Sequence, residues 1–134
     1  HPLSCAAGVA AIESYQEEGL IARSRALGTS MLARLRQMQE RHRVIGDVRG
    51  GEGLFAVIEL VRDRATRQPP APWPQMHAAL KGLLAAGLQA GVSFAARGNL
   101  ILLAPPLVIE QSELTEGLDL LEVLLERAAP GLSS

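Results

Sequence analysis

Three histidines, one cysteine and one lysine are the residues of this sequence that could bind a metal, attack a carbonyl or form a Schiff base. His1, His42 and His77 stand far apart and share no ligand spacing with Cys5 or the carboxylates. A metal site needs paired donors at short intervals, so these read as surface or cap histidines and no residue is assigned to a metal. Gly91-Val92-Ser93-Phe94-Ala95 lacks the final glycine of G-x-S-x-G and joins a helix to a strand, the reverse of the strand-to-helix turn that exposes a nucleophilic serine. Gly51-Glu52-Gly53-Leu54-Phe55-Ala56 matches G-x-G-x-x-A in letters. A dinucleotide fingerprint follows a strand and opens a helix; these glycines open a strand and read as a tight turn. Lys81 lies mid-helix with His77 and Ala85 four residues to either side. A Schiff-base amine needs an apolar pocket or a cationic neighbour, and neither is signalled, so Lys81 reads as a surface lysine. On this reading no residue is catalytic and none binds a cofactor.

A scaffold of 134 residues is close to one domain, at roughly 150 residues per domain, and buries enough surface to fold without staples. Apolar residues at 48% and charged residues at 20% exclude a disordered chain. Thirteen basic against fourteen acidic side chains leave a net charge of −1, which argues against a nucleic-acid binder relying on excess cations. Cys5 alone makes no internal disulfide, which suits a reducing, cytoplasmic compartment. No apolar run reaches 18 residues, so no membrane span is expected. The chain opens on His1 without a methionine, as expected of a mature product, a truncation or a tag remnant.

The positioning elements follow from periodicity. Pro2 suits a first helical turn. The small apolar residues from Ser4 to Ile12 predict a helix buried all round, ending at Gly19. A second helix over about Leu20 to Arg41 carries one apolar stripe, Leu27, Met31, Leu35 and Met38, with Arg23, Arg25, Arg34, Arg36, Arg41 and Arg43 on a solvated face. Val44 to Arg49 leads into the Gly50–Gly53 turn, and Leu54 to Val61 reads as a buried strand. Pro69, Pro70, Pro72 and Pro74 impose an extended, exposed connection. A third helix over about Gln75 to Ala90 places Leu80, Leu83, Leu84 and Leu88 on one side. Two strands follow, Val92 to Ala96 and Leu100 to Ala104, with Arg97-Gly98-Asn99 as their turn. The last helix, about Gln111 to Ala128, aligns Leu114, Leu118, Leu121 and Leu125. The order ααβαββα predicts an α+β domain, a small β-sheet with helices packed on it.

Several segments together resemble one family. His1-Pro2-Leu3-Ser4-Cys5-Ala6-Ala7 is similar to the G-H-P-L-x-C-A-A segment of class III aminotransferases, fold type I enzymes that use pyridoxal phosphate. Gly46-Asp47-Val48-Arg49-Gly50, Gly53-Leu54-Phe55 and Ile58-Glu59-Leu60-Val61 resemble their G-D-V-R-G-x-G-L-M…I-E-L-V stretch. Gly98-Asn99-Leu100-Ile101, Ala104-Pro105-Pro106-Leu107 and Glu113-Leu114 are similar to their G-N/D-x-I…P-P-L…E-I run. The order and spacing agree from His1 to about Leu125.

The resemblance implies that residues 1–134 form the C-terminal, small domain of such an enzyme, a homodimer whose large domain supplies the Schiff-base lysine and most phosphate contacts. It implies a transferase moving an amino group from a primary amine or ω-amino acid to a 2-oxo acid such as pyruvate. The fragment itself is then expected to be inactive and to hold no pyridoxal phosphate. Arg62-Asp63-Arg64-Ala65-Thr66-Arg67 resembles the K-D-K-A-T-R loop of the pyruvate-using branch. Many members carry a carboxylate-pairing arginine in V-R-P-x-G-N; aligned on Gly98-Asn99, that position is Ala95 here. Arg97 shares the strand face of Ala95 if the strand is regular, and is the candidate substrate-binding residue in its place; the other reading is a turn arginine in solvent. A different class of function, a stand-alone α+β ligand-binding or interaction module, stays open on the residues alone. Glu110 stands where the family places a threonine cap, a weaker cap by residue type.

Overall fold

The computed structural model describes residues 1–133, in the order α1 (Pro2–Glu17), α2 (Leu20–Arg41), β1 (Ile45–Gly50), β2 (Ala56–Leu60), α3 (Ala78–Gln89), β3 (Ala95–Arg97), β4 (Leu100–Leu103) and α4 (Gln111–Leu132). The strands form one antiparallel sheet in the order β1-β2-β4-β3. The expected α+β class therefore holds, with one strand more than the sequence order predicted. β1 reads weakly because it is an edge strand: Gly46, Asp47, Arg49 and Gly50 face water or half-face it, and only Ile45 and Val48 are buried.

One face of the sheet carries the core. Paired residues of an antiparallel ladder point to the same side, so the register Val48↔Ile58↔Ile101 lines up three buried side chains. Against them lie the predicted stripe of α2 (Leu27, Met31, Leu35, Met38) and that of α4 (Leu114, Leu118, Leu121, Leu125), all buried. Each such leucine, fully buried, contributes about 1.5–3 kcal/mol.

Four expectations need correction. The helix α1 was expected to be buried, yet none of its residues is; its main packing is against α2, and Leu3, Val9 and Ile12 are exposed. An apolar composition can bury a helix only where a neighbouring surface reaches it. In α3 the inward positions are Leu80, Leu83 and Gly87, the last lying against the Phe94 ring, which turns Leu88 outward to 67% exposure. That helix begins at Ala78 because His77 caps it, its Nδ1 accepting from Ala79 N at 3.2 Å. Finally α4 runs through Pro130 to Leu132, whose side chain is 1% exposed and anchors the last turn.

The arginines of α2 do more than face solvent. Arg34 donates to Asp119 and Glu122, Arg41 donates to Glu122, and Arg23 donates to Ile109 O and pairs with Glu110. These contacts fasten α2 to α4. Glu110 is a better cap than its type suggested: its side chain accepts from the Glu113 backbone while Glu113 Oε2 accepts from Glu110 N at 2.9 Å, a reciprocal capping box built from two glutamates.

Candidate functional site

The other sheet face is exposed or half-exposed among the described residues, and the register dictates what it presents. One row across the strands reads Asp47, Glu59, Leu100, Arg97; the next reads Arg49, Val57, Leu102, Ala95. Arg97 and Ala95 thus share a face, as alternation along a strand requires. Arg49 Nη1 donates to Asp47 Oδ2 at 2.7 Å and to Glu59 Oε2 at 2.6 Å. Glu59, and then Asp47, push the Arg49 pKa further up, so this guanidinium is permanently charged.

Both carboxylates of the face are therefore engaged by Arg49. Arg97 lies two strands from Glu59, about 10 Å at the ordinary strand spacing. Its guanidinium forms no ion pair or hydrogen bond with any described residue. The expected three-residue turn Arg97-Gly98-Asn99 is shorter by one: Arg97 closes β3, and the two-residue turn is Gly98-Asn99, with Gly98 at φ +61. A glycine at the first turn position suits that conformation.

The neighbour of Arg97 is Trp73, from the proline-rich connection. The guanidinium carbon lies 5.5 Å from the centroid of the indole ring, within cation–π range. Gly98 lies under the same ring; a Cβ there would sit 2.5 Å from Trp73 Cε3 and Cζ3. The segment leading to the tryptophan is shaped by local bonds: Arg62 N donates to Gln68 O, Thr66 N donates to Asp63 Oδ1, and Gln75 N donates to Pro72 O. Sequence reading placed Trp73 in an exposed loop and gave it no role. The signal was there, because it is the only tryptophan of a chain with 3% aromatic residues and it stands between two prolines.

The other residues singled out for chemistry stay apart. Cys5 is exposed on α1, and Lys81 is exposed on α3. His77 is a helix cap. His42 was expected at the surface but is largely buried beside Glu122, its Nε2 2.9 Å from Glu122 Oε1. His42, Glu122 and Glu126 bring ligand atoms within 4.8 Å of one another. Glu122 is already occupied by Arg34 and Arg41, and two guanidiniums beside a carboxylate oppose a cation there. Burial pushes the Glu122 carboxyl up, but the hydrogen bonds from His42 and Arg41 and the charges of Arg34 and Arg41 outweigh it and hold the group below its ordinary value. Gly53 opens β2 rather than a helix, in keeping with the turn reading of the glycine run. An apolar cavity of about 300 Å³ between β4, α2 and α4 is lined by Met31, Phe94, Leu103, Ile109, Leu114 and Leu118 among others.

Residues 1–125 match the family model for Aminotransferase class-III. The chain belongs to that family. It is 36% identical over 132 residues to a taurine–pyruvate aminotransferase of Rhodobacter capsulatus, covering 93% of this chain and 28% of the relative. It is 38% identical over 125 residues to a leucine/methionine racemase of Thermococcus litoralis, covering 91% and 26%. Its fold superposes on the taurine:2-oxoglutarate aminotransferase of Bifidobacterium kashiwanohense, solved with pyridoxal phosphate and glutamate, at a TM-score of 0.89 and 31% identity, over 98% of this chain and 29% of that one. The chain thus spans a little over a quarter of the length of these relatives. No helix among the described residues is long and apolar enough to cross a membrane.

Proposed function

We propose that residues 1–134 are the small, C-terminal domain of a pyridoxal-phosphate-dependent aminotransferase that moves an amino group from a primary amine or ω-amino acid to a 2-oxo acid such as pyruvate. Family membership and the likeness to taurine-using aminotransferases support the reading. The observation that carries it to a residue is Arg97, a guanidinium on the open sheet face with no anion paired to it among the described residues. There it binds the substrate carboxylate in place of the arginine missing at Ala95, through two parallel N–H···O bonds.

The cofactor, when bound, supplies the electron sink for amino transfer, but this chain does not fit it. The single lysine is exposed on α3 and does not line the apolar cavity. The part of this chain is to bind and orient substrate. We read the enzyme as a homodimer, and as cytoplasmic, the latter in keeping with a single, free, exposed cysteine.

The test is Arg97→Ala in the full-length, cofactor-loaded enzyme. Losing a charge-assisted bidentate contact raises the KM for pyruvate about 10- to 100-fold and leaves kcat at saturation within a few-fold. An unchanged KM for pyruvate removes Arg97 from the site.

A further inference from the structure

We propose that Trp73 is the positioning residue for Arg97, holding its guanidinium against the β3–β4 turn so that its N–H edge is presented to a carboxylate. This rests on the reading of Arg97 as the carboxylate-binding residue. An exposed arginine samples many rotamers, and fixing one costs up to about 2 kcal/mol on binding. The guanidinium carbon lies over the indole ring, 5.5 Å from its centroid. A ring that meets the cation through its π-face leaves the in-plane N–H donors free, and those are the atoms that make a bidentate pair.

The turn is built to admit the ring. Gly98 is the residue directly after Arg97, and any side chain there would collide with Trp73. Its φ of +61 independently favours glycine. The ring is 57% exposed, so it is not held in place as a core side chain; it lies by the Arg97 cation and over the bare backbone of Gly98. With no hydrogen bond or ion pair to the Arg97 guanidinium among the described residues, the tryptophan is what selects its orientation.

The experiment compares Arg97→Ala, Trp73→Phe and Trp73→Leu in the full-length, cofactor-loaded enzyme, with the KM for pyruvate and for the amine donor and kcat measured separately. Trp73→Leu is expected to raise the KM for pyruvate about 3- to 10-fold, with kcat and the KM for a donor lacking a carboxylate unchanged. Trp73→Phe keeps a π-face and is expected to stay within about twofold of the wild type. Gly98→Ala, which displaces the ring, is expected to follow Trp73→Leu. If Arg97→Ala raises the KM for pyruvate and Trp73→Leu does not, the positioning role is overturned while the reading of Arg97 stands. If Arg97→Ala itself has no effect, both fall. A Trp73→Leu defect that appears equally in kcat and with every substrate marks a structural role and also overturns the proposal.

Discussion

Gly28 on α2 faces the carbonyl of Gly53 so closely that a methyl group on Gly28 would lie 2.1 Å from the carbonyl oxygen. Ser24, one turn earlier, accepts a hydrogen bond from Leu54 N at 3.1 Å through its Oγ. The glycine turn before β2 is thereby seated directly on the helix, and two glycines meet because neither backbone can retreat. Gly28→Ala is expected to destabilise the fold by at least about 2 kcal/mol. Gly82→Ala at an exposed position of α3, where a Cβ would meet nothing within 4 Å, is expected to stabilise by about 0.5–1 kcal/mol. Urea denaturation of the two variants checks both signs.

Glu122 ties α4 to the end of α2 through Arg34, Arg41 and His42, and only 12% of its side chain is exposed. Its carboxyl is held below the ordinary value of 4.5. The folded protein therefore binds fewer protons than the unfolded chain near that pH. The stabilisation is complete above the unfolded value and is lost as pH falls through the depressed folded value. Glu122→Gln is expected to cost about 1–3 kcal/mol at pH 7. The gap from the wild type narrows on acidification below pH 4.5. A gap that stays constant down to pH 3 would show that the carboxylate charge is not its source.

Leu125 is fully buried where α4 meets the sheet-facing core. Leu125→Ala is expected to cost about 2–5 kcal/mol, the range for an unfilled cavity of this kind. Thermal unfolding of that variant beside Leu88→Ala separates core from surface, since Leu88 is exposed and its truncation is expected to be within about 0.5 kcal/mol of neutral.

Pyridoxal phosphate mixed with this chain, followed by borohydride reduction, is expected to trap no adduct specific to Lys81, because nothing around that exposed helical position desolvates its amine. Mass spectrometry of the digested product reads the result. A stoichiometric adduct at Lys81 would sink the assignment of the chain as the non-cofactor part of the enzyme.

Periodicity located most of this fold. The stripes of α2 and α4 are buried as their spacing required, and the central strand around Ile58 buries Ala56, Ile58 and Leu60 on its core face. Edge strand β1 was illegible because an edge strand needs only one apolar face and its glycines and charges mimic a loop. The exposure of α1 was illegible because composition reports what a helix can bury, never what reaches it. Among the candidate site residues, Arg97 was found through alternation and resemblance, whereas Trp73 was not. Nothing local links positions 24 residues apart across a helix, and the contact arises only when the β3–β4 turn folds back under the proline-rich connection.

The bulge in β1, where the register shifts between Ile45 and Asp47, bears on association between molecules. A sheet edge with free carbonyls is a template onto which another chain can add a strand. At this edge Arg64 Nε donates to Ile45 O at 2.9 Å and Gln39 Nε2 donates to Gly46 O at 3.0 Å. Side chains plug the acceptors that an incoming strand would use, and Asp47 and Arg49 add charge beside them. The opposite edge, β3, offers three residues and ends on Arg97. Both margins of the sheet are thus too irregular, too short or too charged to nucleate a cross-β ladder, although one face of the sheet is exposed or half-exposed among the described residues.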